Sequence, residues 1–443
     1  MKNIFIIMVS MLLITACSTD LDQVPPNLGD ASSITDFEPV LFAAYNYQNE
    51  AAAPMAIFGD FRSDNALFDE EFIDFDKFTA PSPLSATSTS TFFQPFYSAL
   101  YSSIISTNNV INNSTNPTHV AEAKFLRGLS YFKLVQVFGD VSVNLIDPTV
   151  EELAAADISR QPKNEVYNNV IIPDLQAARD GLAASTAAAA NGRATKYAAQ
   201  GLLGKVYATM GNYAAAETEL AAVVNGTGAA DIISSMSFAD VFGSDLNAEI
   251  LFATQMTGSI SYSGVKFTDW FAGVNTKADE GGPVSPDLVS AFAADPADLR
   301  GALTVDENGG NPISTKYNTL GATEQDWIEL RLADIVLLYA EALNENSKTA
   351  DAITQLNIIR TRAGLAGTTA STQADVRQAI LDERRLELAL EGHRWFDLVR
   401  AEASQSGIIE AEMGVAVSSN YYIFPIPNTE VTSFPEITQN EGY

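Results

Sequence analysis

Cysteine is all but missing: Cys17 is the one thiol in 443 residues. No internal disulfide can form, so stability must come from a buried core, which a chain this long can build. Histidine is nearly as scarce. His119 and His393 are far apart, and a mature chain cleaved at Cys17 would keep no free thiol, so no zinc-type ligand set is legible. Positive charge is short as well. Twenty-five basic residues face 55 acidic ones, a formal net charge of −30. Such a surface repels nucleic acid and anionic lipid, and it leans weakly toward a neutral ligand. Long apolar runs are lacking: none reaches the ~20 residues a membrane-spanning helix needs. No Gly-x-Ser-x-Gly nucleophile motif is present. With so many carboxylates, some pair always meets the ~5–9.5 Å spacing of a glycosidase, so their abundance carries no information. The run Asp306 to Asn311 fails the calcium-loop pattern, with Gly310 at its fifth position and Tyr317 at its twelfth. It reads as a turn. No metal site is expected.

What is present starts with Lys2 and the apolar stretch Ile4 to Ile14. Its length suits the h-region of a secretory signal. Leu13-Ile14-Thr15-Ala16-Cys17 resembles a lipobox, which makes residues 1–16 a lipoprotein signal peptide and Cys17 the lipidation site. The plain alternative is an ordinary signal peptide with a chance cysteine. Residues 17–30 carry Pro25-Pro26 and read as an extended tether. Acyl chains on Cys17 would anchor the protein to a membrane without spanning it.

Helical periodicity dominates residues 31–225. Phe37, Val40, Leu41, Ala44 and Tyr45 form a 3.6-residue stripe. Gly59 to Phe78 is irregular, acidic and aromatic, and Pro81 to Thr91 reads as an exposed loop. Phe92 to Asn112 and Thr118 to Phe138 read as two helices joined at Asn113 to Pro117. Ala198, Leu202, Val206 and Met210 stripe one helix, Gly211-Asn212 stops it, and Tyr213, Ala216, Leu220 and Val223 stripe the next. That pair looks like a tetratricopeptide unit. Residues 226–325 are rich in Gly, Ser, Asp, Asn and Pro and read as a loop-rich insertion, with β-like pieces such as Ile250 to Thr254. Long loops inside a compact chain are usually functional. From 326 to 443 helices return. Ile328, Leu332, Ile335, Tyr339 and Ala342 stripe one, Ile353, Leu356 and Ile359 its partner, and Thr372 to Arg400 a third with a Thr372/Asp375 cap. The fold class expected is mainly α, a tetratricopeptide-like helical-pair scaffold with an irregular loop-rich insertion and minor β.

Several blocks resemble the SusD/RagB family of outer-membrane nutrient-binding lipoproteins of Bacteroidota. They are Arg331 to Asn344 (RLADIVLLYAEALN), Leu356 to Leu365 (LNIIRTRAGL), Glu383 to Leu388 (ERRLEL) and Glu391 to Arg400 (EGHRWFDLVR). The ending Phe424 to Pro427 and Thr438 to Tyr443 is similar too, as are Ala121 to Gly128, Tyr131 to Asp140 and Gly192 to Lys196. The blocks stand in the family's order across most of the chain. The resemblance implies a non-enzymatic, cofactor-free lipoprotein, anchored in the outer membrane and exposed at the cell surface. It would capture oligosaccharide or polysaccharide and deliver it to a SusC-like TonB-dependent transporter. The alternative is a peptide- or protein-binding tetratricopeptide-like surface scaffold. A third reading, a polysaccharide-degrading enzyme, has less behind it.

Candidate ligand residues follow from the chemistry of sugars. Pyranose rings stack on aromatic faces, and their hydroxyls pair with Asp, Asn, Gln, Arg and Lys. Trp270, with Tyr262 and Phe271, lies in the polar, Gly-rich insertion, where an indole is not expected to be core. The alternative is a ring that plugs an apolar gap. Asp60, Arg62, Ser63, Asp64, Asn65, Phe68 and Asp69 form a second group, with Asp64, Asn65 and Asp69 as its ligand candidates; Asp64-Asn65 resembles an early loop that tends to face ligand in relatives, and the alternative is a capped turn. Trp327 and Trp395 read as packing. In the Glu383 to Arg400 cluster, Asp382/Arg385, Glu391/Arg394 and Asp397/Arg400 are spaced as helix-face ion pairs, which favours a structural network over an active site.

Overall fold

The computed structural model describes residues 35–68, 75, 78, 88–146, 157–256, 267–272, 283–307, 310–317 and 325–443. Cys17 and its signal and tether lie outside these residues. The longer helices are α1 (Glu38–Asp60), α2 (Gln94–Asn113), α3 (Pro117–Phe138), α4 (Ile172–Gly181), α5 (Lys196–Thr209), α6 (Tyr213–Thr227), α7 (Leu332–Glu345), α8 (Thr349–Arg362), α9 (Gln373–Glu387) and α10 (Arg394–Ser404). Each of the first seven packs on the next, α1 on α2 through to α7 on α8, and α9 lies across both α7 and α8. The result is a continuous stack of helical pairs, mainly α, as the periodicity predicts. No described helix is long and apolar enough to cross a membrane.

Local chemistry sets the helix ends. Asn116 caps α3 through Thr118 N–H at 3.0 Å, with Pro117 as the first helical residue. Thr195 caps α5, Asn212 caps α6, and Thr372 caps α9 through Asp375 N–H at 3.1 Å. Gly211, at φ +74°, makes the turn between α5 and α6. The tetratricopeptide-like pair read from the sequence is therefore present, and Leu202, Val206, Leu220 and Val223 are all buried.

Strands are few. β1 (Val141–Ser142) pairs with β2 (Arg160–Gln161), and β3 (Ile250–Thr254) pairs antiparallel with β4 (Trp327–Arg331). The second ladder ties a strand inside the insertion to the strand at its exit: Thr254 faces Trp327 and Ile250 faces Arg331.

Four boundaries differ from the sequence reading. α1 runs on to Asp60, through Pro54, because Ala51, Ala52, Met55, Ile57 and Phe58 continue its buried face. Ser88 to Thr91, expected in a loop, is helical: a π-turn over Thr89–Phe93 leads into α2. Ile328 belongs to β4 and not to the following helix, since extended pairing with Ala253 replaces the helical stripe. The helix expected over Thr372 to Arg400 breaks between Glu387 and Arg394, where Leu390 and Gly392 take φ +64° and +76°. The insertion also contains short helices, Ala229–Ser235, Phe238–Gly243, Phe267–Phe271 and Pro286–Ala293. Each is too short for a 3.6-residue period to stand out.

Candidate functional site

The early loop is built on the end of α1. Asp60 is fully buried and accepts N–H groups from Leu390 (3.1 Å) and Gly392 (2.6 Å) and the Asn65 amide at 3.0 Å. Burial pushes its carboxyl up to about 7. Asp64 accepts both nitrogens of a forked Arg394 contact, at 2.7 and 2.8 Å, and meets Arg385 at 3.0 Å. Burial opposes its charge, yet those guanidiniums hold the carboxyl below its ordinary range. Asn65 Oδ1 accepts from Arg385 at 3.1 Å. The alternative weighed for this stretch was a turn, and Ser63 does make one, bonding Asp60 O at 2.7 Å. Beyond that, Asp64 and Asn65 fasten the loop to the C-terminal signature helices. Asp69 lies outside the described residues.

Trp270 is 4 % exposed, contrary to the expectation that its polar flanks keep it out of the core. It sits on Phe267–Phe271, with its ring centroid 5.3 Å from Phe92, 5.7 Å from Phe68 and 6.4 Å from Phe61. Phe271 is buried between Phe61 and Tyr317, 5.6 and 6.1 Å away. A short aromatic turn can fold back onto a helix end whatever its flanks are made of, which is why composition misplaced it. Tyr262 lies outside the described residues. Trp327 and Trp395 are buried, as their positions beside the core helices suggest.

The charged C-terminal cluster is interior. Arg331, 1 % exposed, binds Glu391 (2.6 Å), Glu387 (2.7 Å) and Glu249 (2.8 Å). Arg362 joins Glu249 and Glu387, Arg300 reaches Glu383 and Glu387, and Lys316 binds Glu391. Arg384 links Asp334 and Asp397 at 2.8 and 2.9 Å. Of the three helix-face pairs expected, only Asp397/Arg400 forms as such, at 2.8 Å. Arg385 turns to Asp64 and Asp382 accepts from Gln378. Glu391 lies in the break before α10, so it faces Arg331 and Lys316 while Arg394 takes Asp64 and Glu412. The network is structural, but its partners come from distant elements instead of one helix face.

Exposed side chains converge elsewhere. A cleft of about 200 Å³ lies between α1, the turn before α5 and the end of β3. Phe42, Asn46 and Asn49 share one face of α1 at i, i+4 and i+7. The Phe42 ring is 49 % exposed, and the Arg193 guanidinium lies 5.2 Å from its centroid. Arg193 is neutralised by Glu38 at 2.7 Å and Glu122 at 2.8 Å. Asn191 and Gln255 close the opposite rim, and both are exposed. Gly192, at φ +76°, lets the Gln255 amide lie against the backbone; a Cβ there would stand 2.2 Å from its Nε2. The available signal was an aromatic residue, Phe42, off the apolar stripe of its helix.

Residues 311–443 match the family model described as SusD family, and residues 31–208 match one described as "Starch-binding associating with outer membrane". The chain belongs to the SusD family. A similar curated SusD-family relative is SusD-like protein P2 of Formosa agariphila, 29 % identical over 76 % of this chain and 77 % of that protein. Starch-binding protein SusD of Bacteroides thetaiotaomicron is 34 % identical over 26 % of this chain and 21 % of its own length. Among solved structures, a laminarin binding SusD-like protein superposes with a TM-score of 0.70 at 24 % identity, covering 93 % of this chain and 99 % of that one. A SusD superfamily protein from Parabacteroides distasonis gives 0.72 at 21 % identity, covering 93 % and 100 %. At these identities the superpositions show a shared fold.

Proposed function

We propose that this protein is a non-enzymatic, surface-exposed lipoprotein of the outer membrane. It captures a glycan and delivers it to a SusC-like TonB-dependent transporter. The observation that carries this reading is the family match at both ends of the chain, one part of it to a model described as starch-binding. The net charge of −30 favours a neutral glycan over an anionic one. Binding without catalysis fits the carboxylates of the signature blocks and of the early loop fastened to them. Asp60, Asp64, Glu387, Glu391 and Asp397 are buried and bound to arginine, lysine or backbone N–H groups, so none is placed to reach a glycosidic bond.

Three measurements test the reading. Calorimetry of the mature protein against neutral oligosaccharides should give saturable binding; heat only with peptides would favour a protein-binding scaffold. Reducing ends should not accumulate during long incubation with the bound glycan. Cys17→Ala should release the protein from the outer-membrane fraction when the transporter is absent, since acylation there is the proposed attachment.

A further inference from the structure

We infer that the cleft lined by Phe42, Asn46, Asn49, Asn191, Arg193 and Gln255 is a contact site for one neutral sugar unit. The inference rests on the glycan-binding reading and assigns part of that function to a place. The lining has the chemistry such a unit needs. The half-exposed Phe42 ring offers a flat apolar face to pyranose C–H groups, and its position beside Arg193 restrains it. Four amides surround it. An amide carries both donors and acceptors, which matches hydroxyls that both donate and accept, whereas a carboxylate rim would only accept. Asn46 and Asn49 are joined to each other at 3.3 Å, which orients both heads along one face of α1.

Charge supports a neutral occupant. Among the described lining residues Arg193 is the only lysine, arginine, aspartate or glutamate, and Glu38 and Glu122 already balance it. The size is consistent too: about 200 Å³ is smaller than the roughly 300–1,000 Å³ of sites that enclose drug-sized ligands. That holds one ring of a longer chain whose neighbours run over the surface. The floor is rigid. Tyr45 donates to Glu122 at 2.7 Å and accepts Ala194 N–H at 2.9 Å, while Gln48 bonds Ser103 and Ser130 beneath it. A preformed floor with exposed amides above it can bind without ordering a loop first.

The test is calorimetry of full-length mature protein with laminarihexaose and maltohexaose. Wild type is compared with Phe42→Ala, Gln255→Ala and, as a control exposed aromatic elsewhere, Phe434→Ala. Phe42→Ala should weaken binding about tenfold and Gln255→Ala several-fold. Phe434→Ala should bind as wild type, and all three should keep the wild-type melting temperature, because these side chains lie at the surface. Wild-type affinity in both cleft variants would overturn the inference and leave the glycan reading standing. Absence of heat from wild type with either hexasaccharide, up to millimolar concentration, would remove the neutral-glycan reading itself, and the inference with it.

Discussion

Gly59 and Gly392 touch backbone to backbone. A Cβ on Gly59 would fall 2.1 Å from the carbonyl carbon and oxygen of Gly392, and Gly392 itself needs φ +76°. This contact docks the end of α1 into the break between α9 and α10, where Asp60 bonds the Leu390 and Gly392 N–H groups.

Gly59→Ala should therefore destabilise the fold by at least roughly 1–3 kcal/mol, the usual cost of overpacking, because backbone cannot swing aside as a side chain can. Gly392→Ala adds the strain of a positive φ to contact with Trp327 at 3.0 Å. Urea unfolding measures both. A Gly59→Ala midpoint equal to wild type would mean the two segments are not locked together.

Arg331 should be the costliest single truncation in the charged interior. Arg331→Ala leaves Glu249 with Arg362, Glu387 with Arg362 and Arg300, and Glu391 with Lys316, so three buried carboxylates each lose part of their compensation at once, and breaking a buried pair costs about 3–5 kcal/mol. Arg331→Lys should rescue only part of this, since one ammonium cannot span three carboxylates. Thermal melts of the two variants separate these outcomes; equal stability would contradict the network.

His393 gives a pH signature. Its Nδ1 faces the Lys205 ammonium at 3.1 Å, and burial together with that charge pushes its pKa down to about 4. The unfolded ring takes up a proton below about 6.5, while the folded one does not until near 4. Stability from this group is thus full above pH 6.5 and lost as pH falls toward 4. Asp60, held up at about 7, has the opposite sign: its contribution is full at low pH and is lost as pH rises toward 7. The readout is therefore the difference between wild type and His393→Gln. Their free energies of unfolding should shift relative to each other by about 1–3 kcal/mol between pH 7 and pH 4.5, with wild type losing more. Parallel curves would show that the ring titrates normally.

Trp270→Ala should lower the melting temperature. The ring is packed against Phe61, Phe68 and Phe92, and deleting a buried aromatic costs about 3–5 kcal/mol. A variant with an unchanged melt and abolished glycan binding would return Trp270 to the ligand face, where the sequence first put it.

Much of this protein was fixed by the sequence alone. The 3.6-residue stripes of α5, α6 and α7, the stop at Gly211-Asn212 and the cap at Thr372 are local, so periodicity and side-chain chemistry within a few residues determine them. The signature blocks, read as ordered strings, marked the family without any geometry. What the chain could not reveal is which distant segments meet. The break at Leu390 to Gly392 is enforced by Gly59, more than 300 residues earlier. Asp64 reads as a turn residue or a ligand contact until Arg394 is seen to clasp it. Trp270 reads as exposed until Phe61 and Phe92 are seen to cover it. Burial is a property of the assembled core, and a short loop segment carries no period from which to infer it. The Phe42 cleft has the same origin: three chain segments far apart in sequence become a site only where the fold sets their exposed faces together.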